Sequence, residues 1–322
     1  MHAIETEHLT KDYAVGFWRP RPYRALDSLS LQVERNEVFG FLGPNGAGKT
    51  TTLKLLTELI YPTSGRIAVL GKPPGHPDVR RRVGFLPEAP YFYDYLTAEE
   101  LLAYFAGLFG LRGQARRARV SALLDRVGIG GERRLPLRKF SKGMLQRVGL
   151  AQALLNEPDI VFLDEPMSGL DPLGRRDVRA LILELRDRGC TVFFSSHILS
   201  DAEALCSRVG IVVGGQLVTT GRLSEILAFE VTGWEIICAG LDPAAVGSWD
   251  GLVRRVTPLG DGRCAIEMAA DADPERIVSG LRAQGGRLVS LNPLRLTLED
   301  YFVQQVAARR AGAPDGRVMP EG

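Results

Sequence analysis

The segment GPNGAGKTT (Gly43–Thr51) constrains the fold of this chain most, because it contains the pattern GxxxxGK[ST] in full. The apolar segment EVFGFLG before it predicts a strand, and TTLKLLTEL after it predicts a helix. In that setting the glycines turn backbone N–H groups toward phosphate oxygens, Lys49 reaches the terminal phosphates of a nucleotide, and Thr50 binds Mg²⁺. The predicted phosphate-binding residues are Gly43, Pro44, Asn45, Gly46, Ala47, Gly48, Lys49, Thr50 and Thr51.

Strands and helices go on alternating over roughly the first 220 residues. A helix is predicted to begin at the capping box of Thr97 and Glu100, and another runs from the N-cap Asp171 to the terminator Gly189. TVFFSSH predicts a strand, and VVGGQLV predicts a hairpin on a Gly-Gly turn. Such alternation favours an α/β fold with a mainly parallel sheet covered by helices.

After Gly221 the pattern changes to short strands and to helices that begin with Asp-Pro. The order β-α-β-β-α-β predicts a small α+β domain of ferredoxin-like type over residues 226–308. DPAAVGSW is the first of its predicted helices. A last helix, TLEDYFVQQVA, places four apolar side chains on one face, those of Leu298, Tyr301, Phe302 and Val306. The tail, 309–322, has too little apolar content to fold and is predicted to be disordered.

The composition narrows the class of protein. Forty Lys and Arg against 38 Asp and Glu argue against a protein that coats nucleic acid, so no nucleic-acid partner is expected. The four cysteines show no metal-binding spacing and lie in or beside apolar runs, which predicts buried thiols in a reducing compartment. The N-terminus does not resemble a signal peptide, and no apolar run approaches the roughly 20 residues of a membrane span.

Two acidic residues end the predicted strand in DIVFLDEP. Asp164 at such a strand end would hold Mg²⁺, and Glu165 would orient or deprotonate an attacking water. His197 follows the strand TVFFSSH, at the edge where a parallel sheet keeps its ligands, and from there it could contact a γ-phosphate. The alternatives are a solvated acid pair and a structural histidine.

A second segment, FSKGMLQRV (Phe140–Val148), also has the character of an anion site. A serine and a glycine stand where a helix should begin, and free N–H groups and the positive end of the helix dipole attract anions there. One chain thus carries two loops suited to phosphate.

In this order, the phosphate loop, SKGMLQRV, VFLDEP, SGLD and SSH resemble the nucleotide-binding subunits of ABC transporters. The resemblance covers roughly residues 3–220 and implies a P-loop NTPase domain over 1–225. That fold has a mainly parallel sheet, an antiparallel β part and a helical subdomain at about 90–155. It also implies ATP and Mg²⁺ as cofactors and a second copy of the chain as partner, because each nucleotide is sandwiched between two subunits.

The resemblance assigns further roles by position. Ser141 and the backbone at Lys142 and Gly143 would cap the γ-phosphate of the partner's ATP. Asp171, in SGLD, would lie at the dimer seam and link the two sites. Tyr13, in LTKDY, matches the aromatic residue that stacks on adenine, although a lone aromatic could equally pack in the core.

Two positions depart from the family pattern. The usual Leu-Ser-Gly-Gly-Gln is here Phe-Ser-Lys-Gly-Met, so Lys142 either adds charge beside the phosphate or points to solvent. Glu88 replaces a glutamine that touches Mg²⁺ and the attacking water. A carboxylate still binds Mg²⁺ but adds negative charge beside ATP.

The loop APYFYDYL contains four aromatic residues, Tyr91, Phe92, Tyr93 and Tyr95. So many aromatic residues in one loop suit a docking groove, and in the family this region receives a helix of the membrane subunit. Packing inside the subunit is the alternative. The C-terminal module resembles that of bacterial export ATPases, which implies an ATPase that powers export through separate membrane subunits, bound peripherally at the cytoplasmic face of the membrane.

Two other functions compete. A soluble ABC-type ATPase acting on ribosomes or DNA usually has two such domains or long coiled-coil arms, and this chain has one P-loop, one signature segment and no room for arms. A P-loop kinase would leave SKGMLQRV and SGLD unexplained.

Overall fold

The computed structural model describes residues 2–16, 18, 21–226, 231–240, 253–295, 298–301 and 303. By its internal contacts the chain divides into two compact units, Met1–Leu223 and Ser224–Gly322. This division lies close to the boundary predicted after residue 225. Within the described residues, no helix is both long enough and apolar enough to cross a membrane.

Most of the regular structure belongs to the first unit. Its strands are β1 His2–Val15, β2 Arg21–Glu34, β3 Val38–Leu42, β4 Ser64–Val69, β5 Val83–Leu86, β6 Ile160–Asp164, β7 Thr191–Ser196, β8 Arg208–Val213 and β9 Gln216–Arg222. Its helices are α1 Lys49–Leu56, α2 Pro77–Arg80, α3 Ala98–Leu108, α4 Gly113–Arg126, α5 Lys142–Ala153, α6 Pro172–Asp187 and α7 Leu199–Leu205, and α8 Leu223–Ile226 spans the division.

Two sheets organise this unit. The larger has the order β5-β6-β7-β3-β8-β9, with its first five strands parallel and β9 antiparallel to β8. The smaller is antiparallel, with the order β2-β1-β4. Helices α3, α4 and α5 fall between β5 and β6 in the chain. The predicted mixed α/β architecture is therefore confirmed.

The centre of the large sheet is built from strands without exposed residues. Every residue of β3, β6 and β7 is buried, as expected for parallel strands covered on both faces. The Phe193 ring lies 5.6 Å from that of Phe39, 5.4 Å from Phe41 and 5.9 Å from Phe162, measured between centroids. This packing fixes the carboxyl ends of three adjacent strands at one edge, where such sheets hold ligands.

Local signals in the sequence set the ends of several elements. Thr97 and Glu100 form the predicted capping box at the start of α3, because each side chain accepts the other residue's backbone N–H. Asp171 caps α6 by accepting the N–H of Gly174. Gly214 and Gly215 have positive φ in the β8–β9 turn. The predicted helix starts and hairpin are confirmed.

The second unit contains a four-stranded antiparallel sheet and a helix. Its elements are β10 Val231–Ala239, β11 Val253–Gly260, β12 Arg263–Ala269, α9 Pro274–Ala283 and β13 Arg287–Arg295. The strand order is β11-β12-β10-β13. The predicted helix DPAAVGSW and the tail 309–322 lie outside the described residues, so the ferredoxin-like assignment stays a prediction. Of the last predicted helix, 298–301 and 303 are helical and Leu298 is buried, whereas Phe302 and Val306 lie outside.

All four cysteines are buried free thiols, as predicted. Burial raises the pKa of the Cys190 thiol to about 12 and raises that of Cys206 further. Cys238 and Cys264 are opposite each other on β10 and β12, with their Sγ atoms 3.2 Å apart. The sequence did not predict this pairing, because the two residues are distant in the chain.

Candidate functional site

The P-loop joins β3 to α1, and its glycines serve two purposes. Gly46 and Gly48 have φ of 77° and 102°, a region that other residues adopt only with strain. At Gly43 a glycine is needed for lack of space, because a Cβ there would lie 2.4 Å from the carbonyl oxygen of Val212. Gly48 is the N-cap of α1 and has no side chain to bond the first turn, so the N–H groups of that turn remain available to an anion.

The Lys49 ammonium lies inside the loop. Its Nζ donates to the carbonyl oxygen of Gly43 at 2.8 Å and to that of Pro44 at 3.3 Å. The same Nζ is 3.3 Å from Glu165 Oε1, and both side chains are more than nine-tenths buried. The sequence-predicted phosphate ligand and the predicted catalytic carboxylate are therefore direct neighbours.

Asp164, the last residue of β6, is held by a residue that the sequence did not single out. Ser195 Oγ, on the adjacent strand β7, donates to Asp164 Oδ1 at 2.6 Å and accepts the N–H of Glu165 at 3.0 Å. Parallel register places Asp164 opposite Ser195. One buried hydroxyl thus fixes both acidic residues.

The environment of Asp164 suits a cation. Burial raises the pKa of its carboxyl, and the charges of Glu88 and Glu165 act in the same direction, whereas the hydroxyls of Ser195 and Thr50 lower it. The buried Oδ2 has no hydrogen-bond partner of good geometry among the described residues, although Thr50 approaches the carboxyl. An orphaned buried oxygen beside a hydroxyl fits Mg²⁺, which takes one or two carboxylates and completes its shell with phosphate and water. No cluster of three or more His, Cys, Asp or Glu suited to a metal occurs in the described part of the chain.

Glu165 is constrained by its backbone conformation and by contacts with three residues. Its backbone has φ of 48°, in the left-handed region, and its side chain is buried. His197 Nδ1 lies 2.9 Å from Oε2, and Lys49 approaches Oε1. Gln146 of α5, a buried residue that sequence reasoning missed, donates Nε2 to the backbone carbonyl of Glu165 at 3.4 Å. His197 therefore touches the predicted catalytic carboxylate and is not packed away as a core residue.

A cavity of about 300 Å³ opens on these groups, and we call it the nucleotide cavity. It is lined by Tyr13, Tyr23, Ala25, Pro44, Asn45, Gly46, Gly48, Lys49, Thr50, Thr51, Glu88 and Glu165. Tyr23 was not predicted as a site residue. It pairs with Tyr13 across the β1–β2 ladder, so the two rings line the same end of the cavity. A lone Tyr13 in the sequence gave no sign of this second aromatic.

The second anion loop lies at the start of α5, away from the nucleotide cavity. Ser141 is the N-cap of α5, and its Oγ accepts the N–H of Met144 at 3.2 Å. A groove of about 650 Å³ runs along it and shares no lining residue with the nucleotide cavity. This signature groove is lined by Gly128, Ile129, Glu132, Ser141, Lys142, Gly143, Met144, Arg147, Gly169, Leu170 and Asp171.

The structure thus sorts the predicted residues into two groups. The P-loop, Glu88, Asp164, Glu165 and His197 meet at one edge of the large sheet. Ser141, Lys142, Gly143 and Asp171 line the signature groove. The two groups therefore form two separate candidate anion sites, which share no lining residue.

The aromatic loop after β5 is exposed. Tyr91, Tyr93 and Tyr95 expose 94%, 59% and 65% of their surface, and Phe92 is half-buried. The rings of Tyr93 and Tyr95 lie 5.9 Å apart. Internal packing, the alternative weighed from the sequence, therefore does not account for the three tyrosines.

Comparison with known proteins gives consistent matches. Residues 26–168 match the family model described as ABC transporter. An uncharacterized ABC transporter ATP-binding protein of Synechocystis is 44% identical over 310 residues, which cover 96% of this chain and 86% of that protein. The bacitracin transport ATP-binding protein BcrA of Bacillus licheniformis is 42% identical over 217 residues, or 66% of this chain and 68% of BcrA.

Among solved structures, a similar one is the dimeric post-hydrolysis state of the ATP-binding cassette MJ0796 bound to ADP and Pi. It superposes with a TM-score of 0.63 at 25% identity, over 68% of this chain and 98% of that one. Since a relative at 44% identity spans nearly the whole chain, the chain belongs to the ABC transporter ATP-binding proteins and is an ATP hydrolase of the ABC type.

Proposed function

We propose that the chain is the ATPase subunit of an exporter, in which two copies form two composite ATP sites and drive separate membrane subunits. The observation that carries this proposal is the separation of the nucleotide cavity from the signature groove within one chain. A complete site then requires the groove of a second copy. The dimeric cassette MJ0796, bound to ADP and Pi, has the same fold and supports this arrangement.

In the proposed site the P-loop binds the ATP phosphates. Lys49 and the free N–H groups at the start of α1 hold the terminal phosphates, and Tyr13 and Tyr23 stack on the base. Thr50, Asp164 and Glu88 would hold Mg²⁺, which neutralises phosphate charge when bound. Asp164 would meet this role with Oδ2, the buried oxygen that has no hydrogen-bond partner of good geometry among the described residues.

Hydrolysis would be assisted by Glu165. Its carboxylate positions a water and accepts a proton from it, and the ring of His197, 2.9 Å from Oε2, orients that carboxylate. Ser195 and Gln146 hold the backbone of Glu165 in its left-handed conformation. They are positioning residues, because neither lines the nucleotide cavity.

The second copy supplies the rest of each site. Ser141 and the N–H groups of Lys142 and Gly143 at the start of α5 would cap the γ-phosphate of the partner's ATP. Asp171, which caps α6 at the edge of the same groove, would lie at the seam between subunits. This division of labour explains why one chain has two anion loops.

The membrane subunits would dock on the exposed tyrosines Tyr91, Tyr93 and Tyr95, and the chain would lie peripherally at the cytoplasmic face of the membrane. Exposed aromatic rings give large contact area at low entropic cost. Export is supported by similarity to BcrA, whose name describes bacitracin transport. A soluble ATPase of ribosomes or DNA is the alternative that the test must separate.

The test is a pull-down of tagged Glu165→Gln protein from detergent-solubilised cells in the presence of ATP. The substitution is expected to keep ATP bound and the dimer closed, which preserves the assembly. A polytopic membrane protein in stoichiometric amount is the expected result by mass spectrometry. Recovery of ribosomal or DNA-repair proteins, with nothing from the membrane, would refute the transport proposal.

A further inference from the structure

The nucleotide cavity has an unbalanced charge. Glu88 and Glu165 line it and Asp164 lies beside them, whereas Lys49 is the one ammonium or guanidinium among its lining residues. Glu165 is compensated by Lys49 at 3.3 Å. Mg²⁺ would offset part of this charge, but ATP brings more negative charges than Mg²⁺ neutralises, so a third carboxylate still makes binding harder unless a further cation reaches this cavity.

Glu88 has no such cation within the chain. It follows β5 and is exposed, and none of the described residues forms an ion pair or a hydrogen bond with its carboxylate. Its charge nevertheless acts on the buried carboxyl of Asp164. Of the two carboxylates that line the cavity, Glu88 is therefore the one without a cation partner among the described residues.

Lys142 is the matching unpaired cation of the signature groove. The other cation there, Arg147, donates to the Val127 carbonyl at 3.2 Å and to Asp177 at 3.4 Å. The Lys142 ammonium has no hydrogen bond or ion pair with any residue that the structure describes, and the side chain is exposed. Its stem lies across Gly169, where a Cβ would come 2.9 Å from Lys142 Cδ. The stem therefore lies beside Gly169 in the lining of the groove, while the residue as a whole stays exposed.

We propose that Lys142 of one subunit pairs with Glu88 of a second copy across each composite ATP site. The inference rests on the proposed homodimer, in which the signature groove of one copy covers the nucleotide cavity of the other. The two charges are solvated in the separated subunits and meet only when the subunits close, so the pair favours the closed dimer. It also offsets the carboxylate that would otherwise oppose ATP.

The test compares two mixtures that contain the same substitutions in different arrangements, all in the Glu165→Gln background with MgATP. In the trans mixture, one chain carries Glu88→Gln and the other Lys142→Gln. Its heterodimer then has one intact pair and one neutral pair. In the cis mixture, one chain carries both substitutions and the other neither. Its heterodimer has a lone charge at each site. Its homodimers have none, because the parent homodimer has two intact pairs and the doubly substituted homodimer has two neutral pairs.

Native mass spectrometry of chains with different tags counts heterodimers and homodimers in each mixture. A mixture of two tagged parent chains gives the random proportion as the control. We expect heterodimers above that proportion in the trans mixture and below it in the cis mixture. The two hetero-to-homodimer ratios should differ by at least about tenfold, the size of coupling found for close interfacial charges.

Equal ratios in the two mixtures would overturn the pairing, and this is also the result if Lys142 meets only phosphate. A cis mixture richer in heterodimers would overturn it as well. If the parent chains form no dimers with MgATP, the proposed homodimer fails and this inference with it. If the parent chains dimerise but the two mixtures give equal ratios, the Lys142–Glu88 pair is wrong and the proposed homodimer stands.

Discussion

Replacing Ser195 with alanine tests how the two acidic residues of the site are held. The hydroxyl donates to Asp164 Oδ1 and accepts the N–H of Glu165, and all three groups are buried. Its removal leaves two buried polar groups unsatisfied, at about 1–3 kcal/mol each. We therefore expect Ser195→Ala to lower the free energy of unfolding by about 2–6 kcal/mol, measured by urea titration of the purified chain.

The same substitution should change the pH dependence of hydrolysis. Burial already raises the pKa of Asp164, and the Ser195 hydroxyl opposes that rise by favouring the ionised form. Without it the pKa rises further, so a smaller fraction of Asp164 is ionised at a given pH below neutrality. Only the ionised form binds Mg²⁺ well. The acid limb of the ATPase profile should move to higher pH, and more Mg²⁺ should be needed for half-maximal activity.

The expected loss of activity at neutral pH is about 10- to 100-fold, typical of a lost partner behind a metal ligand. Ser196→Ala is the matched control, because among the described residues its buried hydroxyl bonds only the backbone of Ile198. That variant should lose some stability and keep the position of the acid limb. An unshifted acid limb in Ser195→Ala, with Mg²⁺ dependence unchanged, would refute the reasoning.

Three further predictions concern stability and ATP binding. Arg179→Met leaves the buried carboxylate of Asp201 without its partner and should lower the free energy of unfolding by about 3 kcal/mol. Asp201→Asn leaves only a partly exposed guanidinium without its partner and should lower it by about 1–2 kcal/mol. Equal urea midpoints for the two variants would contradict this asymmetry. Gly48→Ala requires a φ of 102° that alanine resists, so affinity for a fluorescent ATP analogue should fall about tenfold or more. Tyr23→Ala should weaken binding of that analogue by up to about tenfold, as should Tyr13→Ala, and an unchanged affinity would remove that ring from the site.

The features that could be predicted from the sequence are those determined by residues only a few positions apart. The P-loop lies between β3 and α1, as its pattern requires, and the caps of α3 and α6 were read from single residues and their spacing. These features depend on neighbours within a few positions, so the sequence alone contains the information. The same holds for the antiparallel turn at Gly214 and Gly215.

The residues that hold the site were missed for a physical reason. Ser195 lies opposite Asp164 only because of the register between β6 and β7. Both strands are buried along their whole length, without the alternation of buried and exposed residues that would show which residue faces which layer. Gln146 and Tyr23 likewise act through contacts with residues distant in sequence. Motifs identify the reacting groups, and packing decides which residues position them.

In the proposed function each ATP site is shared between two copies of the chain, and mixing two inactive variants tests this sharing. Lys49→Ala disables the nucleotide cavity, and Ser141→Arg blocks the signature groove. Each variant alone should show almost no ATPase activity, whereas the mixture should recover activity, because a heterodimer keeps one intact composite site. If native mass spectrometry shows heterodimers and the mixture stays as inactive as its components, the sites are not shared and the account is wrong.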